Sequence, residues 1–205
     1  MQDEEKGPAR LSDIEERPPQ YFEEGGRVLL ERLRRTPGIV NVGEGDLKPG
    51  QMIITEHLEQ CHCLIFTPSN ASDAVLAHAS VNMIPLSDIP AGWAVDKKRP
   101  EANVYTKFPS DSNIFVFVVY HKSVNLISNL TRPNSSLFYP ANIAMQMEVS
   151  ASNYEPKIGR KVTFDVNPIV VDGDDFAKRI VVWDGETRII YIFPVASDRY
   201  ASFKV

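Results

Sequence analysis

From residue 38 onward the chain is a succession of short β-branched and aromatic runs, each closed by Gly, Pro, Asn or Asp. No other feature limits the fold as much, because apolar runs of about four to eight residues between turn signals suit strands and not helices. The clearest runs are 51–55, 61–67, 114–120, 144–149, 161–166 and 180–183. Asp184-Gly185, set between 180–183 and 188–191, predicts a two-residue hairpin whose central positions take positive φ. The segment 71–79 fits helix or strand, and its composition leaves the choice open. The 15 prolines favour many short elements over long helices, which argues against a helical bundle. The expected fold class is α+β, a β-rich sandwich of mixed sheets with few flanking helices.

Ahead of the strand-rich part lie two other segments. Residues 1–20 read as a flexible acidic tail, with Pro8, Pro18 and Pro19. Residues 21–37 read as a flanking amphipathic helix. There Phe22, Val28, Leu29 and Leu33 fall near helical spacing, Glu leads, Arg closes, and Pro37-Gly38 is the stop. Gly25-Gly26 weakens that helix. Residues 38–205 are then a single globular domain. Pro18-Pro19-Gln20-Tyr21 also fits the short proline-tyrosine pattern that WW domains take as polyproline II, beside the simpler reading as a solvated linker.

Charge narrows the function classes. The formal net charge is -5, and all of it falls in residues 1–24, where eight acids face three bases. The rest is neutral, so it has no general grip on phosphate backbones, and no nucleic-acid partner is expected. No run approaches the ~20 apolar residues of a membrane span. The charged opening residues lack the apolar core of a secretory signal, which predicts a cytoplasmic protein unless a dedicated secretion route reads some other signal. By the same token the sequons at Asn70, Asn129 and Asn134 read as chance matches.

Cys61 and Cys63 are the only cysteines, and two residues apart they lack the reach of an ordinary structural bridge. Thiol chemistry or plain burial remain. A catalytic thiol needs a base, and the histidines are His57, His62, His78 and His121. On a strand, Cys61, Cys63 and Ile65 face one way while His62, Leu64 and Phe66 face the other, which makes His62 the wrong neighbour. His57 falls in the turn before the strand, and His121 reads as an exposed polar cap. His78, 17 residues after Cys61, leaves enough chain for a second element to return beside it.

Pro49-Gly50-Gln51-Met52-Ile53-Ile54-Thr55, then Leu58-Glu59-Gln60-Cys61, then Leu76-Ala77-His78, resembles the core of the chemotaxis deamidase CheD and its relatives, which share a fold with cytotoxic-necrotizing-factor-type toxins. In that family a nucleophilic Cys opens a strand six residues after a Thr, and a His follows about 17 residues later; both intervals recur here. Val42-Gly43-Glu44-Gly45 is similar to the family's opening strand, and Pro168-Ile169-Val170-Val171-Asp172-Gly173 with Arg179 and a hairpin to its closing strands. The chain departs from the family at Glu59-Gln60, where Gly-Ser is usual, and at Ala74-Val75, where paired glycines are usual. Bulkier residues at those turns alter the pocket in which backbone amides approach an oxyanion. Residues 90–153 have no counterpart.

The resemblance implies a CheD-like deamidase domain over 38–205 that converts a glutamine of a target protein to glutamate, with Cys61 as nucleophile, His78 as base and Thr55 orienting the imidazole. It implies no cofactor and no metal. The bland alternative is a non-catalytic β-rich interaction or structural domain, with Cys61 a small buried hydrophobe, His78 a core histidine and Thr55 a strand residue. Cys61-His62-Cys63 as a metal clip is weaker, since a closed zinc site wants four ligands. Asp172, Asp174 and Asp175 read as a solvated turn, and Lys97-Lys98-Arg99-Pro100 as an exposed loop.

Overall fold

Runs that are apolar on both faces need partners on both faces, and the chain supplies them as stacked sheets. The computed structural model describes residues 17–59, 61–79, 107–108, 113–122 and 161–205. Expectations for 1–16, 97–100, 129, 134 and 144–149 lie outside them. In chain order the elements are β1 (Gln20–Phe22), α1 (Gly26–Arg34), β2 (Val40–Val42), β3 (Leu47–Gly50), β4 (Met52–Leu58), β5 (His62–Pro68), β6 (Ala74–Ala79), β7 (Asn113–His121), β8 (Thr163–Val171), a 3₁₀ turn (Asp174–Ala177), β9 (Arg179–Asp184), β10 (Ile189–Pro194) and β11 (Tyr200–Lys204).

The described residues form two mixed sheets, in spatial order β1-β11-β10-β9-β4-β2 and β3-β6-β5-β7-β8. The pairs β2–β4 and β7–β8 are parallel. Between the sheets lies one shared core, with Ile53, Val181, Trp183 and Ile192 from the first sheet against Cys63, Ile65, Leu76, Phe117 and Ile169 from the second. Each such large side chain taken out of water contributes roughly 1.5–3 kcal/mol. Leu30 and Leu33 of α1 cover Ile54, Ile180, Val182 and Phe193 on the outer face of the first sheet. The expected β-rich architecture of mixed sheets is what the chain forms, and no helix among the described residues is long and apolar enough to cross a membrane.

Long-range pairing overrides several local readings. Within segment 71–79, Ala74–Ala79 is strand: every side chain of β6 is buried, so no period marks it. The expected helix over 21–37 starts only at Gly26. Gln20–Phe22 instead pairs with Ser202–Tyr200 of β11. Gly26 is required there, since a Cβ would stand 2.5 Å from the Arg199 carbonyl oxygen. The Asp198 carboxylate caps the helix, accepting from the N–H groups of Gly25 (3.0 Å) and Arg27 (2.8 Å). The end of the expected tail is held as well, Arg17 donating its N–H to Pro168 O at 3.0 Å. The Pro18 to Tyr21 segment, the candidate WW ligand, is itself tied down at its Tyr end. Tyr21 packs edge-on against Phe176, and its hydroxyl oxygen accepts from the Asp172 N–H.

The Asp184-Gly185 turn also differs from expectation. Ile189 pairs with Asp184, so the loop holds four residues, and the left-handed position is Arg188 (φ 54°), not Gly185. Asp184 organises the loop by accepting from the N–H groups of Glu186 and Thr187 and from the Thr187 hydroxyl. Gly185 serves close approach: its N–H donates to Gln51 O at 2.8 Å, and a Cβ would sit 1.8 Å from Ser72 O.

Candidate active site

The sandwich brings Thr55, Cys61 and His78 together from three elements. Thr55 is on β4 of the first sheet with its side chain toward the core, His78 is on β6 of the second, and Cys61 immediately precedes β5. Strand alternation sends Cys61 and Cys63 to the inter-sheet face and His62 to the other, where its ring meets Tyr120 edge-on. Cys63 stands directly opposite His78 in the β5–β6 ladder, which leaves Cys61 one step along the same face. All three predicted residues are buried, Thr55 at 1%, His78 at 2% and Cys61 at 9% exposure.

A hydrogen bond crosses between the sheets at this point: Thr55 Oγ1 and His78 Nδ1 are 2.8 Å apart. The Thr55 hydroxyl also lies 2.8 Å from Val42 O, a carbonyl that can only accept. A hydroxyl carries one proton, so both contacts are hydrogen bonds only when it goes to Val42 O and Oγ1 accepts from His78 Nδ1–H. The tautomer follows. Nε2 keeps its lone pair, and it is buried without a hydrogen-bond partner. Burial also pushes the His78 pKa below the usual imidazole range, against a smaller opposing effect of Glu44, so the ring is neutral near pH 7.

The backbone of His78 is fixed by a tight turn. Asp46 N–H closes onto Gly43 O at 3.0 Å, with Gly45 at φ 73°. Gly45 N–H then donates to His78 O (2.9 Å) and His78 N–H to Asp46 O (3.0 Å). This turn carries Glu44, which the sequence placed in an opening strand and not in the site. Cys61 Sγ donates to Glu44 Oε1 at 3.9 Å and makes no hydrogen bond to His78. Burial, and then the Glu44 charge, push the Cys61 thiol up, with Arg179 acting the other way. The resting pair is therefore thiol and neutral imidazole.

Arg179 is the second residue that sequence reasoning missed as a site component. Its side chain is fully buried, and Nη2 donates to Cys61 O at 2.6 Å while Nη1 reaches Leu58 O at 3.4 Å. Its guanidinium thus ties the carbonyls of Leu58 and Cys61 to one donor. Burial lowers its pKa to about 10. Cys63 is sealed, and burial pushes its thiol far up. His62 is driven down to about 3 by burial, which removes it as a base.

The other histidines are sorted by backbone. His57 is not in a turn before β5 but within β4, exposed, at φ 61° where the register with β9 shifts between Thr55 and Leu58. His121 is buried rather than an exposed cap, with Nε2 bonded to Gly173 O at 2.9 Å. The acidic cluster is the solvated turn expected at Asp172 and Asp174, which are exposed, with Lys122 paired to Asp172; only the half-buried Asp175 is held inward, by Arg199 and Ser197. Among the described residues no group of three or more His, Cys, Asp or Glu is placed to hold a metal ion. Neither the protein-family models nor the curated proteins contain a match to this chain.

Proposed function

We propose that this chain is a CheD-like protein-glutamine deamidase, a cysteine amidohydrolase that acts through Cys61, His78 and Thr55. The observation that carries the reading is the Val42 O, Thr55 Oγ1, His78 Nδ1 relay, which leaves a basic Nε2 on the face shared with Cys61. Orientation of an imidazole through Nδ1 with Nε2 free for a nucleophile is the arrangement acyl transfer needs.

In the reaction His78 Nε2 would take the Cys61 proton, and the thiolate would attack the carboxamide carbon of the target glutamine. The backbone amide of Cys61, with the Cys61 and Leu58 carbonyls tied back by Arg179, would face the developing oxyanion. Collapse expels ammonia with the proton from His78 and leaves a thioester. Water, deprotonated by the same nitrogen, then cleaves the thioester to give glutamate and the original thiol. Incubation with candidate target proteins should release ammonia and add about one mass unit per site. Release that survives Cys61→Ala overturns the assignment.

One observation favours the second reading, a non-catalytic β-rich interaction or structural domain: the thiol donates to Glu44 and not to His78. Alkylation separates the two. Labelling of Cys61 that slows in His78→Ala supports the pair, and labelling indifferent to His78 supports the structural role.

A further inference from the structure

The contact between Glu44 and Cys61 bears on substrate choice. Glu44 is exposed, and it sits on the turn that brackets His78, with its carboxylate 3.9 Å from the Cys61 sulfur. Neighbouring acids on the same elements have their own cations: Asp46 with Lys48, Glu56 with Arg34 and Glu59 with Lys178. Among the described residues no cation reaches Glu44 within ion-pair distance. A carboxylate beside a nucleophilic thiol opposes thiolate formation, so an uncompensated Glu44 works against the chemistry unless something that binds at the site neutralises it.

We propose that Glu44 is a specificity-determining residue that selects a glutamine adjoining a Lys or Arg side chain. The incoming cation pairs with the Glu44 carboxylate, takes it from the Cys61 thiol and leaves His78 free to deprotonate the sulfur. The substrate part of this inference rests on the deamidase reading; the charge preference of the mouth does not. An anionic neighbour of the target glutamine would be repelled by the same carboxylate.

Small charged thiol reagents test it. The full chain is treated near neutral pH with an aminoethyl (cationic) and a sulfonatoethyl (anionic) methanethiosulfonate, and mass mapping follows the mixed disulfide at Cys61. Wild type should react about tenfold faster with the cation, the effect of an attraction near the low end for a charge pair at contact distance. In Glu44→Ala the ratio should fall to near parity, because the carboxylate that separates the two reagents is gone. A ratio that survives Glu44→Ala, or that is absent in wild type, overturns the proposal. Peptides bearing Gln-Lys or Gln-Glu are then offered to wild type. Faster ammonia release from Gln-Lys supports the substrate assignment, and equal or reversed rates overturn it. Loss of the reagent preference in Glu44→Ala with no ammonia from either peptide would refute the deamidase reading and leave Glu44 as a charge filter over a reactive thiol.

Discussion

Replacing Thr55 with Val removes the oxygen that rules the His78 tautomer and changes little else, since the two side chains are nearly the same shape. The Thr55–His78 contact is closed to water, the two residues being at 1% and 2% exposure, so the Nδ1–H loses its acceptor and finds no solvent substitute. An unsatisfied buried donor costs roughly 1–3 kcal/mol, and the lost bond to Val42 O about 1 kcal/mol more, partly offset by the added methyl. A net loss of roughly 2 kcal/mol in a domain of this size lowers Tm by about 4–8 °C. The chemical effect is separable from stability. Wild-type His78 should show, by ¹⁵N NMR near neutral pH, a protonated Nδ1 and a bare Nε2. In Thr55→Val the ring is released toward the other tautomer, and alkylation of Cys61 slows. Thr55→Ser keeps the hydroxyl and should restore both the tautomer and the labelling rate, with only a small loss of stability. If folded Thr55→Val retains the wild-type nitrogen shifts and the wild-type labelling rate, the relay does not govern the base.

Other outcomes follow from single contacts. Glu44→Gln sets a carboxamide beside Cys61, so a competent site should hydrolyse it back to glutamate; intact-mass measurement would show a rise of about one unit, absent in the Cys61→Ala double variant. Arg179→Met leaves the carbonyls of Leu58 and Cys61 without their donor and should cost about 1–3 kcal/mol in denaturant unfolding, even though it removes a buried charge. Gly185→Ala drives a methyl into the Ser72 carbonyl and should destabilise the protein by more than about 2 kcal/mol, whereas a glycine kept only for its φ would show less. Asp198→Ala uncaps α1 and should lower Tm near pH 7. The donors of Arg27 and Gly25 hold the Asp198 pKa down, so its stabilisation is present above about pH 4 and fades as pH falls through the folded-state value, closing the gap between wild type and variant.

What could be read in advance depended on how far a residue's partner lies along the chain. The strand runs were legible because two buried faces demand apolar residues throughout, as in β5 and β9. The same double burial hid the nature of 71–79. Thr55, Cys61 and His78 could be proposed from two intervals, and the structure brings them to one inter-sheet face. Glu44 and Arg179 were matched only to the family's outer strands and not to the site, because their contacts with Cys61 span 17 and 118 residues and follow no short motif. Tyr21 and Phe22 were placed in the helical segment, Phe22 by its spacing from Val28, Leu29 and Leu33. Their real partners, Ala201 and Tyr200, are at the far end of the chain.

That last pairing has a consequence for self-association. β11 is bonded on one side to β10 and on the other to the three residues of β1, so β1 stands between its backbone and the outside. The blocking strand is itself a poor template, being short and led in by Pro18 and Pro19, which have no N–H to offer. Cleavage after Phe22 would strip it away and leave the amides and carbonyls of Tyr200–Lys204 open to a strand from another molecule. The segment before α1 then acts as a stopper on this edge of the first sheet, and losing it would add a five-residue edge open to pairing with another molecule.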